Sequence, residues 1–166
     1  EPDHSDEFGS DQLGLQWQWN ANFEREWYQM MPQTSCLVLK AVKTNQLRQL
    51  PDFRNLLLQK WPAPEFVCET KMNVRNLCPG DMAGIVSLGQ TFAGLAIRCM
   101  SDETGVMRYE LVKISGYQEF DHNMPFAQSK ESVTILDKGA LENAQYDIVW
   151  YYQVQIREYT DFLDRK

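Results

Sequence analysis

Residues 13 to 20 read Leu-Gly-Leu-Gln-Trp-Gln-Trp-Asn, and the alternation through this run restricts the backbone there to a strand. Successive side chains of an extended chain point to opposite sides, so Leu15, Trp17 and Trp19 share one face and Gln16, Gln18 and Asn20 the other. A hydrophobic row of this kind in a two-layer protein belongs against a core, which places Leu15, Trp17 and Trp19 there. The amide row is left to bond polar groups of a ligand or of a facing protein surface.

The two-residue period recurs along the chain between turn signals. Strands are expected at Cys36 to Val42, Asn55 to Gln59, Phe66 to Val74, Met82 to Leu88, Thr91 to Cys99, Met107 to Ser115, Ser132 to Leu136 and Ile148 to Ile156. Phe66, Cys68 and Met72 fall on one face of their strand, and Ile148, Trp150, Tyr152 and Val154 on one face of the last. The first three, with Trp150 and Val154, complete the expected core. Cys78-Pro79-Gly80-Asp81 marks a turn, and Gly89-Gln90 a tight hairpin. The leucines between Gln46 and Leu58 suggest a helix, but Pro51 interrupts it. Short strands without a long helical pattern define an all-β, antiparallel two-sheet sandwich. A polar arm over residues 1–12 precedes a single domain over residues 13–166.

Three further blocks follow Trp17-Gln18-Trp19-Asn20 in order: Pro51-Asp52-Phe53-Arg54-Asn55-Leu56-Leu57-Leu58-Gln59-Lys60, Pro64-Glu65-Phe66, and Pro79-Gly80-Asp81-Met82-Ala83-Gly84. Together they resemble the C-terminal concanavalin A-like β-sandwich domain of glycoside hydrolase family 43, the β-xylosidases and arabinofuranosidases. The resemblance runs over residues 6 to 115. It implies a jelly-roll sandwich that packs, as an accessory, on a separate five-bladed propeller carrying an acidic catalytic triad. Nothing in this chain resembles the propeller. A catalytic glycoside hydrolase domain is the implied partner, and a xylan-type oligosaccharide the implied ligand.

Composition agrees with that class. Sixteen basic against twenty-three acidic residues give a net charge of −7, which repels phosphate backbones and excludes a nucleic-acid binder. No apolar run reaches transmembrane length, and the acidic start, Glu1 to Glu7, is no signal region, so any export signal is expected to have been removed. Cys36, Cys68, Cys78 and Cys99 have neither zinc-site nor disulfide-framework spacing; Cys68 and Cys99 are expected as buried thiols, compatible with a cytoplasmic, periplasmic or extracellular setting.

Glycoside hydrolysis requires two carboxyl groups facing each other across a sugar. The pairs Asp6-Glu7 and Asp102-Glu103 are adjacent in polar turns, where they point apart, and no nucleophile motif accompanies His4 or His122. No catalytic residue is assigned. Asp3, His4, Asp6, Glu7 and Asp11 would suit calcium chemically, but their spacing fits no calcium loop, so no metal or other cofactor is expected. The candidates for sugar or domain contact are Gln16, Gln18, Asn20, Trp27, Arg54 and Trp61. The rival readings are a free-standing carbohydrate-binding module, which needs an exposed aromatic platform, and a glycosidase in its own right. Family sandwiches continue past the strand resembling Ile148 to Ile156, whereas Arg157 to Lys166 end this chain. Unless Tyr159 to Leu163 close the edge, self-association through this strand is expected.

Overall fold

A computed structural model describes residues 5–43, 49–119, 128–139 and 146–155. Ten strands carry the fold: β1 (Trp17–Trp19), β2 (Tyr28–Met31), β3 (Cys36–Leu39), β4 (Leu57–Gln59), β5 (Glu65–Asn73), β6 (Met82–Ser87), β7 (Thr91–Ser101), β8 (Met107–Glu119), β9 (Gln128–Asp137) and β10 (Asp147–Gln155). Only short 3-10 turns interrupt them among the described residues, at Arg25–Trp27, Pro32–Thr34 and Leu50–Asp52.

The centre is an antiparallel sheet in the order β6-β7-β8-β9, built as a meander of hairpins. Its turns follow their residue chemistry. In Cys78-Pro79-Gly80-Asp81 the amide of Asp81 bonds the Cys78 carbonyl at 2.9 Å, and Gly80 takes φ +96°, where a side chain would be strained. The β7–β8 turn folds around Asp102, whose Oδ1 accepts from the Thr104 amide, the Thr104 hydroxyl and the Val106 amide at 2.9, 2.6 and 3.0 Å. Between Leu111 and Val112 the pairing skips Leu136, a bulge that bends the β9 edge.

Alternation divides this sheet into two faces, and both are packed. On one, Phe92, Ala96, Val112 and Ile114 bury against Leu50 and Leu56, which lead into β4. Gly116 gives the Phe92 ring its room: a Cβ there would meet that ring at 2.5 Å. On the other, Ile97 packs with Val74 and Trp150, flanked by Leu95, Leu111, Met72 and Ile148. The antiparallel β5–β10 pair supplies that layer in unbroken register from Asp147 opposite Asn73 to Gln155 opposite Glu65. The Tyr152 hydroxyl donates to the Ala93 carbonyl at 2.8 Å and ties the layers together.

Trp150 and Val154 are buried, while Phe66, Cys68 and Met72 lie half-buried on the same inward face. Leu15, expected in the core, is instead fully exposed at 104% of its reference area. The cause is local: the Trp17 amide bonds the Gly14 carbonyl at 3.1 Å, so residues 14 to 17 form a turn and the strand begins only at Trp17. Trp17 and Trp19 are half-buried. The proline-broken stretch is a 3-10 turn at Leu50–Asp52 followed by β4, as Pro51 suggested. Strand β2 was not anticipated. Tyr159 to Leu163 lie outside the described residues.

Candidate functional site

The Trp-Gln-Trp-Asn block lies where the incoming chain meets β4, antiparallel with Trp17 opposite Gln59 and Trp19 opposite Leu57. Asp6 fixes its first half. One carboxylate oxygen accepts from the Trp17 indole N–H at 2.8 Å and the Gln16 amide at 3.3 Å, the other from the Phe8 amide at 2.8 Å. The Phe8 ring stacks on Trp17, with centroids 5.7 Å apart. Asp6 and Phe8, within the polar N-terminal stretch, are therefore tied to β1.

Asn20 fixes the second half. Its side-chain amide donates to the Pro51 and Phe53 carbonyls at 3.0 and 2.8 Å, and its backbone amide to the Leu56 carbonyl at 3.0 Å. Trp19 gathers Phe23, Trp27 and Tyr28 at centroid distances of 5.9, 5.8 and 5.5 Å. Arg54 donates to the Asn22 carbonyl at 3.1 Å and sets its guanidinium 5.8 Å from the Trp27 ring centre.

Gln16, Asn20 and Arg54 thus have polar groups engaged within the chain, on Asp6, the Pro51 and Phe53 carbonyls, and the Asn22 carbonyl. Trp27, a candidate for sugar stacking, is buried beneath Trp19 and Arg54 and offers no open ring face. Gln18 is exposed on β1. Trp61 is 42% exposed and stands apart from the others beside Gly89 in the β6–β7 turn. Phe23, half exposed on Trp19, was not singled out in the sequence; its place between polar residues gave no periodic signal.

Of the acidic pairs, Asp102-Glu103 lies at the β7–β8 turn and Asp6-Glu7 in the irregular stretch before β1. Hydrogen bonds from Thr104 and Val106, with Arg108 nearby, hold the Asp102 carboxyl down at about 2. Its Oδ2 pairs with Arg108 at 3.0 Å. Cys99 is fully buried, and burial raises its thiol above the ordinary value, as it does for half-buried Cys68. Among the described residues no group of three His, Cys, Asp or Glu side chains converges on a metal position; Asp3 and His4 lie outside them.

A second feature lies on the β8–β9 surface: an open depression of about 350 Å³ lined by Ser115, Gly116, Tyr117, Lys130, Glu131 and Ser132. The Lys130 ammonium sits 5.5 Å from the centre of the Tyr117 ring. No motif marks this place in the sequence; its residues meet only through the β8–β9 register.

An all-β molecule of antiparallel layers, with its sequence blocks in this order, is a concanavalin A-like sandwich. A family model described as the β-xylosidase C-terminal concanavalin A-like domain matches residues 5–158, and the chain belongs to that family of accessory domains. Comparison with curated proteins and with solved structures gave no match.

Proposed function

We propose that this domain serves a xylan- or arabinoxylan-degrading glycoside hydrolase by packing on a separate catalytic propeller and helping to shape the pocket that admits xylose or arabinose units. The observation that carries the reading is the family match over residues 5–158. The engagement of Gln16, Asn20 and Arg54 in bracing the N-terminal block supports a positional role, because Gln16 bonds the Asp6 carboxylate, and Asn20 and Arg54 bond backbone carbonyls of neighbouring segments. The domain has no catalytic residues of its own in this reading. Asp6 is engaged by Trp17 and Gln16, and Asp102 by its own turn and Arg108, so neither is poised as the acid of a glycosidase.

Incubation of the isolated chain with aryl xylosides and aryl arabinofuranosides tests this. The expected result is hydrolysis at background. Turnover that survives repurification and disappears on replacing one acidic residue would make the domain a glycosidase. No membrane segment enters the proposal, and no described helix is long and apolar enough to cross a bilayer.

A further inference from the structure

Phe23 and Leu39 form the open part of an apolar surface beside the N-terminal block. The Phe23 ring is 51% exposed and lies 5.9 Å from the Trp19 ring and 6.0 Å from the Tyr28 ring, centre to centre. Tyr28 stands opposite Leu39 in the β2–β3 ladder, where Cβ atoms are about 5 Å apart. Leu39 is 49% exposed. Alternation puts the half-buried Met30 and Leu37 on the same face as Tyr28 and Leu39. No side chain of residues 28–39 is buried, and among the described residues β2 and β3 pair only with each other.

Residues 27–39 carry no charged side chain, in a chain of which 23% is charged. Rings and methionine at the centre, with the exposed Glu24, Arg25 and Glu26 between Phe23 and Trp27, match the apolar centre and polar rim of an interface between proteins. An uncharged partner surface is the complement that leaves no charge desolvated against this face. Asn20 and Arg54, polar side chains of the same block that could bond a sugar, are engaged on the Pro51, Phe53 and Asn22 carbonyls. These bonds hold the ring cluster in place, so little freedom is lost when a partner meets it.

The course of the chain selects that partner. The matching family domain is the C-terminal one of β-xylosidases, so in the proposed role the catalytic propeller precedes residue 5. Asp6 bonds Gln16 and Trp17, and Phe8 stacks on Trp17, so a chain arriving from the propeller meets the domain at β1. Trp19 follows on the same face about 7 Å along the strand and leads directly to Phe23. A partner tethered at β1 is held at high effective concentration over this surface.

We infer that the surface centred on Phe23 and Leu39 is the face on which the catalytic propeller docks, through an uncharged apolar area of its own. The inference rests on the reading of this chain as an accessory domain, and it names the surface that does the work.

Amide hydrogen exchange tests it by comparing the full chain alone with the chain joined behind a family 43 catalytic propeller. Joining should slow exchange at residues 23–28 and 37–39, and leave it unchanged around Tyr151, 71% exposed on the outward face of β10. Phe23→Asp and Leu39→Asp should each abolish that protection and return KM and kcat to those of the propeller alone, because a carboxylate would be desolvated at the contact. Tyr151→Asp should change neither. Melting curves of the isolated variants check the fold, and Leu39→Asp keeps the test open if Phe23→Asp does not fold. Protection confined to another surface, with the kinetic gain intact, would overturn the inference and leave the accessory role standing; no protection and no gain would overturn both. The same protection in the isolated chain at raised concentration would assign the surface to a second copy, and the same protection on adding xylohexaose would assign it to a glycan; either result would overturn the inference.

Discussion

In the β6–β9 sheet Phe92, Cys99, Val112 and Ile114 lose essentially all contact with solvent, whereas no side chain of β1 is fully buried although its sequence is the most distinctive in the chain. The sheet is held by packed apolar faces on both sides. The Trp-Gln-Trp-Asn block is held by directed contacts: an aspartate on an indole, an asparagine across two carbonyls, an arginine over a ring. A family signature can therefore mark a brace rather than a core or a ligand site. Apolar packing tolerates exchange among residues of similar volume, but a side-chain amide reaching two carbonyls 31 and 33 positions away tolerates few substitutes.

The contrast predicts a graded set of losses. Phe92→Ala should destabilise most, by about 3–5 kcal/mol, because it empties a closed part of the core; thermal or urea unfolding measures it, and a loss matching that of an exposed residue would break the comparison. Asn20→Ala should cost about 1–3 kcal/mol by leaving the Pro51 and Phe53 carbonyls without their donor, whereas Gln18→Ala, two residues earlier and exposed, should stay within about 0.5 kcal/mol. Equal effects at the two positions would remove the brace. Asp6→Ala should cost about 1 kcal/mol and alter the emission of Trp17, whose indole N–H loses its acceptor.

The smallest effect concerns acid. The folded Asp102 carboxyl is held below its ordinary value, at about 2, so it favours the folded state above the unfolded value of 3.8, and this contribution fades as pH falls toward 2. Asp102→Asn should flatten stability against pH in that window. An unchanged profile in acid unfolding would contradict the part assigned to the turn.

Where a strand is long and one-sided, its place could be read from the chain. Alternation in Glu65–Asn73 and Asp147–Gln155 gave both the strands and their inward residues, and the proline-glycine turn before β6 follows from residue type alone. Short elements were harder. Tyr28–Met31 has four large residues without a clean period and, among the described residues, pairs only with Cys36–Leu39. Leu15 continued the period of the tryptophans, yet a single backbone hydrogen bond turns the chain before the strand starts. The site was less legible than the fold. Residue types marked Asn20 and Arg54 as candidates for sugar or domain contact; that they hold the chain's own carbonyls depends on distant segments brought together by folding. Trp27 could not be placed because the rings that cover it come from elsewhere in the fold.

In the proposed role the domain contributes position rather than chemistry. Its most direct test is the hydrolysis of aryl xylosides and xylo-oligosaccharides by a family 43 catalytic propeller measured alone and joined to this chain, with the isolated chain in parallel. The expected result is no turnover by the chain itself and a lower KM or higher kcat for the joined protein than for the propeller alone. Identical kinetic constants with and without the domain, or activity residing in the chain itself, would contradict it.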